Sequence, residues 1–423
     1  MHHFHYEGDE LYCESVPLRK IARDVATPCY VYSCATLRHH FTVFDGAFEG
    51  VPHRTCYSVK ANANLSILGL FAALGGGADI VSGGELFKAR QAGIRAERIV
   101  YSGVGKTRAE IDYALREDIL MFNIESTQEL EAINHRAGAM KIRARIALRV
   151  NPDVDPKTHP YISTGLKKNK FGIDIEQALK SYERARDLEH IDVVGIDCHI
   201  GSQLTEIPPF IEALERLKLL IACLKEIGIC IQYLDIGGGL GISYHQESPP
   251  HPREYAQAIV QGLKGLSCTL ILEPGRVIVG NAGVLLTEVL YAKKTPSKEF
   301  IIIDAGMNDL VRPSYYGSYH EIQPVLRCRQ ESRVVDVVGP ICESSDFIAR
   351  DRDLQVVEPG EFLAVMSAGA YGFSMASNYN SRTRAAEVLV NGDQFHVIRK
   401  RESWEDLIRG ESTPDFVRGA SGL

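Results

Sequence analysis

The chain has 423 residues, 45% of them hydrophobic and 24% charged, with a formal net charge of −7 at pH 7. That composition supplies a sizeable core and excludes a disordered chain, and the length fits two domains. The charge is spread without basic runs and no apolar stretch approaches a membrane span, so neither nucleic acid nor a membrane is an expected partner.

The opening His2-His3-Phe4-His5 reads as a mobile polar end, and no basic-then-apolar signal pattern is present. None of the ten cysteines forms a C-x-x-C pair, so neither a structural zinc site nor a redox pair is indicated. Several lie in apolar runs, as reduced core cysteines do, and a cytoplasmic setting is expected. Residues 28–32 look like a strand. From Arg54 to Glu273 the pattern becomes regular, with apolar strands at 54–59, 78–81, 98–101, 119–124, 144–150, 193–199, 231–236 and 269–273. Helix-like stretches fall between them at 65–74, 84–92, 108–116, 127–137, 175–186, 208–227 and 253–266. Eight strands alternating with helices predict an α/β fold, a (β/α)₈ TIM barrel over residues 30–280. An open doubly wound sheet is the alternative, but no G-x-G-x-x-G follows the first strand. Beyond Arg276, β-type runs at 284–291, 300–304, 334–338, 362–366, 386–390 and 395–399 lack long helices between them. They predict a second, all-β domain over residues 281–411, joined by residues 1–29, with 412–423 as a loose tail.

A barrel of this kind carries its chemistry at the carboxyl ends of its strands. Lys60 follows the first strand and Asp79 lies at the second. Arg149 closes the fifth, His199 and Ser202 the sixth, Gly237-Gly238-Gly239 the seventh, and Glu273 with Gly275-Arg276 the eighth. A lysine at a buried strand end is expected to be partly desolvated, its pKa lowered toward that of a nucleophilic amine. The glycine triplet lets backbone N–H groups approach an anion, and Ser202 and Arg276 come from neighbouring strand ends, a common phosphate seat. An imine-forming lysine beside a phosphate cradle describes pyridoxal 5′-phosphate. Glu273 then suits the pyridine nitrogen, and His199 the ring face. Ser102–Thr107 ends like a P-loop, but the position of that motif's first glycine is Val100, so no nucleotide site is expected.

Seven motifs then stand in order: Tyr57–Asn62, His199–Gln203, Gly237–Gly241, Glu273–Arg276, Asp304–Pro313, Gly339–Asp346 and Gly369–Gly372. With them the chain resembles the barrel-type pyridoxal-phosphate decarboxylases and racemases, and among these it is most similar to the diaminopimelate decarboxylases. The resemblance implies that Lys60 is the Schiff-base lysine. It implies that Asp79, Arg149, His199, Ser202, Gly237, Gly238, Gly239, Glu273, Gly275, Arg276 and Tyr371 serve the cofactor. Arg276, Arg312, Tyr316, Glu343 and Tyr371 would meet the substrate, and Cys342 would be a catalytic proton donor. It further implies a homodimer whose active sites are shared, with Cys342 and Glu343 acting across the interface. The reaction implied is decarboxylation of meso-2,6-diaminopimelate to L-lysine, the last step of lysine synthesis. A substrate whose far end is itself an amino acid needs a cation for its carboxylate and an acid for its ammonium, roles that suit Arg276 and Arg312, and Glu343. A related decarboxylase for ornithine, arginine, lysine or a carboxylated polyamine stays open on the residues alone, as do a racemase and a catalytically dead relative that binds partners.

Overall fold

Eight parallel strands close on themselves: His53–Ser58, Gly77–Ile80, Ile99–Tyr101, Met121–Ile124, Ala144–Asn151, Ile191–Asp197, Tyr233–Asp235 and Thr269–Leu272. The last pairs in parallel with the first. This computed structural model describes residues 2–155, 164, 170–327 and 331–418. The strands are nearly continuous apolar runs because a parallel barrel strand is buried on both faces. Cys56, Val100, Met121, Ala147 and Ile271 fill a cluster of their own within the ring of strands. The helices expected between strands are present within a few residues of their predicted ends. Their starts are set by side chains of Asn64, Ser82, Thr107, Ser126 and Asp174, each accepting from a first-turn N–H. A helix the sequence reading did not anticipate, Cys34–Gly46, precedes the first barrel strand.

The expected start of the barrel at residue 30 shifts. Strand Cys29–Ser33 pairs antiparallel with Gly283–Lys294 and parallel with Ala386–Asn391, so it lies in the second sheet. That sheet runs Phe347–Gln355, Ser332–Val338, Glu299–Ile303, Gly283–Lys294, Cys29–Ser33, Ala386–Asn391, Gln394–Arg399. The N-terminal histidines are not a mobile end. Phe4–Glu7 opens a small three-stranded sheet. Its Phe4, Leu11 and Val16 pack with Val284, Leu286 and Val388 of the second sheet. Of the expected loose tail, Asp415–Arg418 forms a short helix, and 419–423 lie outside the described residues, as does Cys328. No helix among the described residues is long and apolar enough to cross a membrane.

The barrel and the second sheet are tied at the turn that follows the first barrel strand. The Tyr371 N–H donates to the Ala61 carbonyl at 2.8 Å. Asn62 Nδ2 donates to the Gly369 carbonyl at 3.2 Å, and Asn64 Nδ2 to Glu387 Oε2 at 2.9 Å.

Candidate active site

Lys60 lies in a single 3₁₀ turn, Val59–Ala61, and its Nζ donates to Asp79 Oδ2 at 2.5 Å. Asp79 comes from the neighbouring strand, is fully buried, and also accepts from Ser58 Oγ at 2.8 Å. Burial opposes the lysine's charge, but Asp79 and then Glu273 outweigh it and hold the ammonium above its ordinary pKa. The expected lowering is thus reversed: the position after a strand supplies desolvation, and the next strand supplies a counter-charge.

Lys60 opens onto a cavity of about 340 Å³. Of the expected residues, His199, Ser202, Gly239, Glu273, Gly275, Arg276, Arg312, Tyr316 and Tyr371 share its wall. Asp79 and Arg149 do not; Arg149 donates from Nη1 to Glu125 Oε1 at 2.6 Å and has its Nε 3.9 Å from Asp197. The glycine triplet divides. The Gly237 N–H donates to Asp235 Oδ1 at 2.9 Å and the Gly238 N–H to His199 Nδ1 at 3.2 Å, so both are spent inside the protein rather than on an anion. A Cβ at Gly238 would stand 2.1 Å from the Glu273 carbonyl oxygen, so that glycine serves close packing. Gly239, with φ +117°, lines the cavity itself.

His199 accepts at Nδ1, which leaves its proton on Nε2. Burial, then Arg149 and Lys60, push its pKa well below the ordinary value, so the ring is neutral. Below it, carboxylate oxygens of Asp197, Asp235 and Glu273 lie within 4.8 Å of one another. Burial, and next the charge of Asp235, push Glu273 and Asp197 well above the usual carboxylate range.

The opposite wall is cationic. Arg276 donates from Nη1 to Tyr244 Oη at 2.7 Å and from Nη2 to Ser202 Oγ at 3.0 Å, with the Tyr371 ring centroid 4.9 Å away. Its buried Nε has no hydrogen-bond partner among the described residues. Arg312 donates from Nη2 to Ser318 Oγ at 3.2 Å and lies 5.1 Å from the Tyr244 ring. Both arginines are 5% exposed, and among the described residues neither meets a carboxylate. Two buried cations without counter-charge, one from each domain, make a seat for an anionic ligand. Tyr244 completes this wall, His320 lies buried behind it against Arg312, and both were missed by sequence reasoning. Their only signal was that they sit just past the Gly237–Gly241 and Asp304–Pro313 motifs.

Cys342 and Glu343 are exposed and do not line the cavity of their own chain. The Cys342 N–H donates to Asn380 Oδ1 at 3.0 Å, and Glu343 accepts from the Tyr379 hydroxyl and from Ser345 Oγ. Asp346 braces this loop by accepting the Ile341 and Met307 N–H groups, each at 2.6 Å. The P-loop-like segment has a structural use: Lys106 donates to two carbonyls and to Glu129 Oε1 at 2.6 Å.

Residues 34–280 match the family model of the pyridoxal-dependent decarboxylase, pyridoxal binding domain. A diaminopimelate decarboxylase of Aquifex aeolicus is 52% identical over 404 residues, 95% of this chain and 96% of that one. The chain belongs to the diaminopimelate decarboxylase family. Among solved structures of that family, the enzyme of M. jannaschii in co-complex with L-lysine superposes with a TM-score of 0.94 at 41% identity, covering 98% of each chain. The Helicobacter pylori enzyme complexed with L-lysine gives 0.90 at 45%, over 96% of this chain and 100% of that one. Membership in a pyridoxal-dependent decarboxylase family agrees with the chemistry present. The cavity offers an amine on Lys60, a buried acid at Glu273, and the backbone of Gly239 beside Ser202 and Arg276. These residues can hold pyridoxal phosphate.

Proposed function

We propose that this chain decarboxylates meso-2,6-diaminopimelate to L-lysine and carbon dioxide with pyridoxal 5′-phosphate. The observation that carries the reading is the pair of buried arginines, without carboxylate partners among the described residues, facing the cavity that holds Lys60 and Glu273. A plain diamine precursor would leave Arg312 unmatched, whereas a substrate with a second amino-acid end supplies its carboxylate.

Pyridoxal phosphate, when bound, supplies the carbonyl that joins to amines and the ring that takes up the electron pair left as carbon dioxide departs. Lys60 would hold the cofactor's carbonyl carbon, with Asp79 beside it orienting the lysine side chain. Ser202, Gly239 and Arg276 suit the phosphate. Glu273, crowded by Asp235 and Asp197, suits the ring nitrogen, while neutral His199 suits the ring face. Arg312, with Tyr316 and Tyr371 beside it, suits the distal carboxylate. After carbon dioxide leaves, the carbon needs one proton. A thiol can supply it, and Cys342 is exposed on a braced loop beside Glu343. Cys342 and Glu343 reach the site from a second copy of the chain, which makes the working unit a homodimer.

Carbon dioxide release from meso-diaminopimelate, lysine, ornithine and arginine tests the substrate. Release from the first alone is expected, and release from ornithine or arginine at a comparable kcat/KM overturns the assignment. Mixing inactive Lys60→Ala with inactive Cys342→Ala tests the sharing. Random exchange should restore about a quarter of the wild-type sites, since half of the dimers then carry one complete pocket of two. Subunit exchange with no recovered turnover means that both residues act in one chain.

A further inference from the structure

His320 is fully buried and lies eight residues beyond Arg312, where its ring makes two directed contacts. Its Nδ1 is 2.9 Å from the Met366 carbonyl oxygen, and its Nε2 is 3.4 Å from Arg312 Nε. A carbonyl only accepts, so the proton belongs on Nδ1 and the lone pair of Nε2 faces the arginine N–H. Burial, and next Arg312, push His320 down to about 3, which agrees with a neutral ring in that tautomer. The ring therefore works as a rigid strut: backbone carbonyl, imidazole, guanidinium. It occupies the Nε edge of Arg312, while Ser318 takes Nη2.

Tyr244 braces the same group from the barrel side. Its ring meets His320 edge-on at 5.3 Å, stands 5.1 Å from the Arg312 guanidinium, and its hydroxyl accepts from Arg276. An arginine side chain has much rotamer entropy to lose, and here that freedom is removed before any ligand arrives.

We propose that His320 is a specificity-determining positioning residue, which aims Arg312 so that the pocket selects amines carrying a distal carboxylate over the same amines without one. The inference rests on the reading of Arg312 as the distal carboxylate's partner. L-Lysine and 1,5-diaminopentane differ only by that carboxylate, so their inhibition constants against the cofactor-loaded wild-type enzyme measure the selectivity directly. His320→Asn keeps a donor for Met366 and removes the acceptor for Arg312; His320→Gln places an amide oxygen near the lost Nε2.

The Asn variant should weaken lysine about tenfold or more while diaminopentane stays within about twofold, and Gln should recover most of the loss. His320→Asn should also raise KM for diaminopimelate more than it lowers kcat. Equal weakening of both ligands by Asn, no weakening of lysine, or a Gln variant no better than Asn overturns the proposal. If the Asn variant does not fold, Tyr244→Phe, which removes only the hydroxyl, provides the check: it should leave the lysine preference within about threefold, and its loss would move the determinant from His320 to Arg276. Arg312→Met separates the two claims. If it keeps the lysine preference, the reading of Arg312 fails; if it loses that preference while His320→Asn keeps it, only the role of His320 fails.

Discussion

Around the strand ends of the barrel, buried cations meet carboxylates. Lys106, 1% exposed at its side chain, pairs with Glu129, and Arg149 pairs with Glu125. In the cavity between barrel and second sheet, Arg276 and Arg312 are as deeply buried and have none among the described residues. Leaving a buried ion without its counter-charge costs on the order of several kcal/mol, so a fold keeps one where a ligand completes it. Lys60 stands between the two cases, with a carboxylate partner in Asp79 and a cavity in front. Charge pairing thus separates the residues that hold the fold from those that wait for substrate.

Substitutions test that division, starting where the effect is greatest. Lys60→Ala should abolish the visible absorbance of lysine-bound pyridoxal phosphate and lower turnover by at least ~10³-fold. Visible absorbance surviving with no other lysine adduct would remove Lys60 from its role. Arg312→Met should lower kcat/KM for diaminopimelate about 100-fold, near 2.7 kcal/mol of transition-state stabilisation, with urea stability unchanged or higher because an uncompensated buried cation is gone. A large loss of stability there would mean that Arg312 is structural. Lys106→Met should do the reverse. Glu129 would be left buried and unpaired, costing roughly 3 kcal/mol of unfolding free energy, while kcat/KM stays within about threefold. Activity falling with stability intact would place Lys106 in the working site.

The smallest effect belongs at the rim, where Glu402 meets Arg384. Burial raises the Glu402 carboxyl, but the hydrogen bonds from Arg384 prevail and bring it down to about 2. A carboxyl lowered in the folded state adds stability above its unfolded pKa, and the contribution disappears as pH falls from about 5 toward 2. Urea melts of wild type and Glu402→Gln should therefore differ by about 0.5–1 kcal/mol at pH 7 and converge below about pH 3. A gap that persists in acid would show that the charge is not the cause.

The barrel strands could be read from the sequence because burial on both faces makes each an apolar run, and the strand ends then located Lys60, His199, Glu273 and Arg276. Strand Phe347–Gln355 was not read, since its alternating Arg350, Asp351, Arg352 and Asp353 look like a solvated loop. Cys29–Ser33 reads as a strand, but nothing local tells which sheet will take it. The charge state of Lys60 was misjudged because its counter-ion comes from another strand. Tyr244 and His320 escaped for a related reason: each matters through Arg312, Tyr244 by a contact made only when a barrel loop meets the second domain and His320 by one within that domain's own fold.

The asparagine that donates to Glu387 also starts the helix Leu65–Ala73, with Oδ1 accepting from the Ser66 N–H at 3.0 Å. One side chain thus serves two masters, a helix beginning in one domain and an acid on a strand of the other. Anyone building chimaeras from relatives of this enzyme would have to transplant Asn64 with Glu387, and the Ala61 turn with Tyr371, as matched sets. A crossover between residues 280 and 283 looks neutral along the chain, yet it would part both couples at once and leave Lys60 on an unsupported turn.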